Sequence, residues 1–176
     1  MPARHDEPRR TTIVLTGFMG TGKSTVGRRL AERLGHEFVD TDELIEARHG
    51  PILQIFAEHG EARFREIERE VAGELAGRDG LVVSTGGRLL LDQANADALG
   101  AGALVVCLVA SVDELARRLA DEAEDRPLLA GGDPRARIEE LLAERRAGYA
   151  RFAQVDTDGR TPDEVADAVL ALLDER

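Results

Sequence analysis

A single lysine stands among 22 arginines, and it occupies Gly17-Phe18-Met19-Gly20-Thr21-Gly22-Lys23-Ser24. The spacing is G-x-x-x-x-G-K-[ST], a loop whose backbone N–H groups cradle phosphate oxygens. Codon bias toward arginine would account for the scarcity of lysine but not for its address. A compact, rotatable ammonium point charge is kept only here, where it would reach the outer phosphates of a nucleoside triphosphate. Ser24 offers a hydroxyl for a magnesium ion held against those phosphates. Gly20, Thr21, Gly22, Lys23, Ser24 and Thr25 are therefore the candidate nucleotide-binding residues.

The flanking sequence supplies the elements such a loop needs. Thr11 to Thr16 is a short β-branched run of the kind that forms a buried parallel strand. From Lys23 onward, Val26, Leu30 and Leu34 recur at helical spacing. Strand, glycine loop and helix together aim backbone donors and a helix N-terminus at one anion.

Further along, Phe38-Val39-Asp40-Thr41-Asp42 predicts a second strand ending in two carboxylates. Short helices are expected over 43–49 and 52–59, and a longer one over 62–76. Leu81 to Thr85 and Ala103 to Val109 read as strands, and Val155-Asp156-Thr157 as a brief strand end. Helices are expected over 92–99, 112–120, 135–151 and from Pro162 to Leu173. This alternation predicts a three-layer α/β sandwich with a central parallel sheet, in which ligands sit beyond the carboxyl ends of the strands. Gly17, Asp40, Asp42, Gly86, Gly87 and the 156–160 turn all follow strand ends, so they are expected to converge.

At 176 residues the chain fits one domain over 11–176, preceded by a mobile tail over 1–10 that carries Arg4, Arg9 and Arg10. A formal net charge of −11 argues against a nucleic-acid surface and against attachment to anionic lipid. The sequence shows neither a signal peptide nor an apolar run long enough to span a bilayer, so a cytoplasmic protein is expected; with no heptad or large apolar surface stretch, a monomer is the expectation. Cys107, the one cysteine, lies in an apolar strand and reads as buried.

With these motifs assembled, the chain from about Thr12 to its last helix resembles the shikimate kinases, within the nucleoside-monophosphate-kinase-like group of phosphate-loop folds. The resemblance implies an ATP- and magnesium-dependent kinase of a small alicyclic carboxylate, shikimate first. It assigns Asp40 with Ser24 to the metal and Asp42 to the substrate hydroxyl; a plain helix cap is the alternative for this acidic pair. Phe64-Arg65-x-x-Glu68 resembles the helix whose arginine grips the substrate carboxylate, with Arg145 of Glu144-Arg145-Arg146-Ala147-Gly148-Tyr149 as the second clamp. Gly86 and Gly87 resemble a glycine run lining the substrate pocket. Arg126-Pro127-Leu128-Leu129 resembles the start of a lid over about 121–134, its arginine folding over the transferring phosphate. Arg118 and Arg160 resemble residues that sandwich adenine.

Two departures stand out. Arg88 replaces the family's usual third glycine, and Ala147-Gly148 replaces a proline-leucine pair ahead of a short link to Val155. A gluconate-type kinase and a non-catalytic nucleotide or aromatic-acid sensor remain the alternatives. A GTPase is excluded, because the one asparagine, Asn95, is followed by alanine rather than lysine.

Overall fold

The computed structural model describes residues 10–120, 128–129 and 131–176. Five strands form one parallel sheet in the order β2-β3-β1-β4-β5. They are β1 (Ile13–Gly17), β2 (Glu37–Asp40), β3 (Leu81–Ser84), β4 (Leu104–Val109) and β5 (Ala153–Asp156). The central strand β1 is buried along its whole length between β3 and β4, with Ile13 opposite Val82 and Leu104. Its side chains alternate between two layers. Ile13 and Leu15 pack with Val26 and Leu30 of α1 (Lys23–Leu34) and with Val165 and Val169 of α7 (Pro162–Asp174). Val14 faces the other way, onto Phe64, Ile67 and Val71 of α3 (Ile52–Leu75) and Leu99 of α4 (Gln93–Gly100).

A third cluster closes the carboxyl edge of the sheet. It joins Phe18 and Cys107 to Leu115 and Leu119 of α5 (Val112–Leu119) and to Ile138, Leu141 and Tyr149 of α6 (Pro134–Tyr149). Cys107 is fully buried, as its apolar strand predicts. The three-layer α/β reading holds, and no helix among the described residues is long and apolar enough to cross a membrane.

Three details differ from expectation. The acidic pair does not sit together on a strand end: β2 stops at Asp40, and Asp42 lies in the first turn of α2 (Thr41–His49). The segments over 52–59 and 62–76 run on as one element, but Gly60 breaks it with φ 79°, ψ 173°. That left-handed φ is glycine's province, so the sequence's reading of two helices has a physical basis. Finally Arg10 is tied down: its carbonyl accepts from the Gly80 N–H at 2.7 Å, and its guanidinium donates to the Gly35 carbonyl at 3.1 Å.

Candidate active site

The phosphate loop leaves β1 at Gly17, whose φ is 134°. A β-carbon there would stand 2.3 Å from the Leu108 carbonyl oxygen, so only glycine lets the loop start this close to β4. The loop is braced from inside. Thr21 donates its hydroxyl to the Phe18 carbonyl at 2.8 Å, and Lys23 Nζ donates to the Gly17 and Phe18 carbonyls, each at 2.9 Å. The ammonium thus lies along the loop's concave side, where phosphate oxygens could exchange for those carbonyls.

Ser24, one residue on, donates to Asp40 Oδ2 at 2.6 Å and lies 3.2 Å from the Ser84 hydroxyl. The other oxygen of Asp40 accepts from the N–H groups of Asp42 (3.0 Å) and Glu43 (3.2 Å), capping α2. The helix-cap alternative is therefore met by Asp40 rather than Asp42, and it coexists with the Ser24 contact. No trio of His, Cys, Asp or Glu side chains gathers into a metal cage among the described residues. Magnesium at a nucleotide site needs no such cage; one or two protein oxygens beside phosphates and water suffice. The Ser24–Asp40 oxygen pair has that character.

Asp42 carries no cap, and its side chain is turned into the site. Its carboxyl is pushed up from the ordinary 3.8 to about 6, first by burial, then by the neighbouring Asp40 charge and by Glu46, with Lys23 and Arg65 opposing. Gly86 approaches it so closely that a β-carbon there would lie 2.7 Å from Asp42 Oδ1. Thr41 fixes this approach by accepting the Gly86 N–H at 3.0 Å.

Beyond Asp42 lies a basic wall. Arg65 donates to Glu68 at 2.6 Å and to Glu61 at 3.2 and 3.3 Å. Glu68 is buried, 3 % exposed, and burial raises its carboxyl against the lowering effect of Arg65. Arg145 is 4 % exposed and stacks over the Phe18 ring at 5.3 Å; its Nε has no hydrogen-bond partner among the described residues. A buried donor left unpaired costs stability unless a ligand satisfies it. Tyr149 donates its hydroxyl to the Gly87 carbonyl at 2.6 Å, which ties α6 to the glycine turn. Arg151 strengthens the same join by donating to the Leu90 carbonyl at 2.7 Å. Gly148 is the residue that makes room, since a β-carbon there would meet Leu91 Cδ2 at 2.4 Å.

These groups border three adjoining clefts. One of about 460 Å³ runs along the outside of the loop, between Gly20, Thr25 and Arg118 on one side and Arg160 and Pro162 on the other. One of about 400 Å³ holds Lys23, Ser24, Asp40 and Asp42. The third, about 210 Å³, is lined by Arg65, Glu68 and Arg145 together with Phe56, Phe64 and Leu128. Asp42, Gly86 and Gly87 border both the second and the third.

The predicted residues thus converge, with qualifications. Arg118 is not a loose guanidinium: it donates to Glu114 (2.7 Å), to the Gly20 carbonyl (3.1 Å) and to Thr157, so it bolts the phosphate loop to the turn after β5. Arg160 is exposed, and among the described residues its guanidinium donates only to the Asp156 carbonyl, at 3.4 Å. Arg126 and most of the expected lid lie outside the described residues. Sequence reasoning missed Ser84, Thr157 and the bracing by Glu61. A polar residue ending the buried run Leu81–Ser84 was a usable signal for the first, and the i, i+4 spacing of Glu61 and Arg65 for the last; Thr157 meets Arg118 across 39 residues.

A glycine loop between a central parallel strand and a helix, opening onto an adjoining cleft bordered by the raised carboxyls of Asp42 and Glu68 and by Arg65, Arg88 and Arg145, defines a phosphate-loop phosphotransferase of the nucleoside-monophosphate-kinase-like fold. Comparison with known proteins narrows this. The shikimate kinase family profile matches residues 19–174. A shikimate kinase of Halorhodospira halophila is 48% identical over 92% of this chain and 92% of its own length. The structure of the shikimate kinase from Acinetobacter baumannii in complex with shikimate superposes with a TM-score of 0.87 at 36% identity, covering 94% of both chains. A gluconokinase from Sinorhizobium meliloti is further away, with a TM-score of 0.64 and 27% identity over 95% of this chain and 94% of its own. The chain belongs to the shikimate kinase family.

Proposed function

We propose that the protein transfers the γ-phosphoryl of ATP to the 3-hydroxyl of shikimate, with magnesium, as a cytoplasmic monomer. The observation that carries this reading is that Asp42 borders both the phosphate cleft and the arginine-walled cleft. A hydroxyl acceptor seated between them would meet one carboxylate on the side facing the nucleotide. Asp42 orients that hydroxyl and accepts its proton; a carboxyl raised to about 6 is better matched to that task than an ordinary one. Arg65 and Arg145 hold the substrate carboxylate at the far end of the ring, and this supplies the unpaired Arg145 Nε with an acceptor.

Lys23 exchanges the Gly17 and Phe18 carbonyls for outer phosphate oxygens and stabilises charge developing on the transferred group. Ser24 and Asp40 would hold magnesium, which neutralises phosphate charge when bound. Adenine occupies the cleft beside Arg118, whose guanidinium plane is held by Glu114 and Thr157. Arg126 would add a second cation over the transferring phosphate.

Gluconate is the second reading, because a gluconokinase shares this fold. The two-arginine wall with apolar Phe56 and Phe64 beside it favours a ring carboxylate over a flexible polyol chain. A substrate panel scored by ADP release tests the choice. Shikimate should exceed gluconate by about 100-fold in kcat/KM, the discrimination that misfit against an apolar pocket wall supplies. Equal rates would overturn it.

A further inference from the structure

Arg88 takes the third position of the Gly86-Gly87-Arg88 turn, and the geometry shows why a side chain is tolerated there and not at the two positions before it. Gly86 cannot carry a side chain because Asp42 Oδ1 would be 2.7 Å away. At Gly87 a β-carbon would lie 3.2 Å from Arg145 Nη1 and 3.4 Å from the Gly17 carbonyl oxygen. Arg88 has ordinary torsions (φ −106°, ψ −9°) at the start of the short 3₁₀ turn Leu89–Leu91, and its side chain is exposed. It emerges over the substrate cleft, which it borders with Arg65, Arg145, Glu68 and Leu128.

The charges there are not equivalent. Arg65 is paired with Glu68 and Glu61. Arg145 is buried beneath the turn. The Arg88 guanidinium makes no hydrogen bond or ion pair with another described residue, and it is exposed where Arg88 borders the cleft. Glu68 and Tyr149 both register it: burial raises each of them, and Arg88 is among the charges drawing each back down. The chain as a whole carries a net −11, so its long-range field is opposite in sign to these cations. An anionic substrate approaching such a surface is repelled unless a local cation offsets the field.

We propose that Arg88 is a capture residue at the mouth of the substrate cleft, drawing in the anionic hydroxy acid without taking part in phosphoryl transfer. The inference rests on the carboxylate substrate assigned above. Arg88 acts before the carboxylate reaches Arg65 and Arg145, and it stays at the rim once the substrate is seated. Rim charges of this kind change association and salt dependence rather than the chemical step.

The test is a comparison of wild type, Arg88→Gln and Arg88→Lys on shikimate across salt, from about 20 to about 300 mM, over which screening shortens markedly. Arg88→Gln should lower kcat/KM for shikimate about two- to fivefold at low salt, the scale of one exposed charge. The difference should vanish at high salt, with kcat and the KM for ATP unmoved, and Arg88→Lys should behave as wild type. The uncharged methyl ester of shikimate should show no difference between wild type and Arg88→Gln. A rise in kcat/KM on Arg88→Gln would mean that the side chain obstructs the cleft. An unchanged salt slope, or an equal loss on the ester, would also overturn the capture role while leaving shikimate as substrate. No turnover of shikimate by wild type would instead remove the substrate assignment itself, and the capture role with it.

Discussion

Asp42 is required by the proposed chemistry yet disfavoured by its surroundings, so Asp42→Asn should separate activity from stability. The carboxyl is pushed from 3.8 to about 6, chiefly by burial. Below pH 3.8 the group is protonated in both the folded and unfolded states and costs nothing. As pH rises through 4 to 6 the unfolded chain releases a proton that the folded chain retains, so stability falls, and above about 6 the loss is complete. At about 1.4 kcal/mol per pH unit, the ionised carboxylate costs the fold about 3 kcal/mol. No hydrogen bond holds the Asp42 side chain among the described residues, so a neutral amide forfeits little. Ligand-free Asp42→Asn should therefore be stabilised by roughly 1–3 kcal/mol at pH 8, a Tm rise of roughly 3–10 °C for a chain of this size. The gain should shrink steadily as pH falls toward 4. The same variant should lose roughly 10²- to 10⁴-fold in kcat, the usual worth of a positioned proton acceptor. Circular dichroism melts at pH 8 and pH 4.5, paired with ADP-release kinetics, measure both. Destabilisation of equal size at both pH values, or kcat within about tenfold of wild type, a loss near 1.4 kcal/mol, would refute the reasoning.

The remaining expectations are simpler. Wild-type kcat/KM should decline below about pH 6, as protonation removes the Asp42 acceptor; a profile flat to pH 5 would contradict the raised carboxyl. Lys23→Ala should lose about 3 kcal/mol or more of transition-state stabilisation in kcat/KM with little change in Tm; a loss under 1.4 kcal/mol, about tenfold, would not fit. Arg65→Ala should raise the KM for shikimate and leave the KM for ATP unchanged, because its guanidinium borders the substrate cleft only; weakened ATP binding would show the carboxylate assignment to be wrong. Gly27→Ala should destabilise by roughly 1–3 kcal/mol despite alanine's better helix propensity, since its β-carbon would stand 2.6 Å from the Phe38 ring; chemical denaturation decides, and a stabilised variant would mean that Phe38 moves freely aside.

Much of this architecture is visible in local sequence. Thr11 to Thr16 and Ala103 to Val109 read as buried strands because each run is long enough to fill a central position, and the glycine spacing before Lys23 has one good structural use. The paired acids were harder. Both Asp40 and Asp42 suit a helix start, and only the end of β2 at Asp40 decides that Asp40 caps while Asp42 turns inward. Arg118 illustrates the limit more sharply. Its partners Gly20 and Thr157 lie 98 and 39 residues away, so a guanidinium locked in place is indistinguishable in sequence from one on the surface. The Tyr149–Gly87 bond, across 62 residues, was invisible for the same reason, although Tyr149 marked the segment. Glu68 matched a helical motif with Arg65, but its burial follows from the packing of α3 against the sheet and not from spacing.

Phosphorylation of shikimate by the purified protein is the measurement that bears most directly on the whole account. With ATP, magnesium and shikimate, ADP should appear in one-to-one proportion with a phosphorylated product, and ³¹P–¹H correlation should attach the phosphate to the 3-hydroxyl. Omission of shikimate, or chelation of magnesium, should stop ADP release. ADP release independent of shikimate, or a phosphate on another hydroxyl, would contradict the placement of the acceptor between Asp42 and the two arginines.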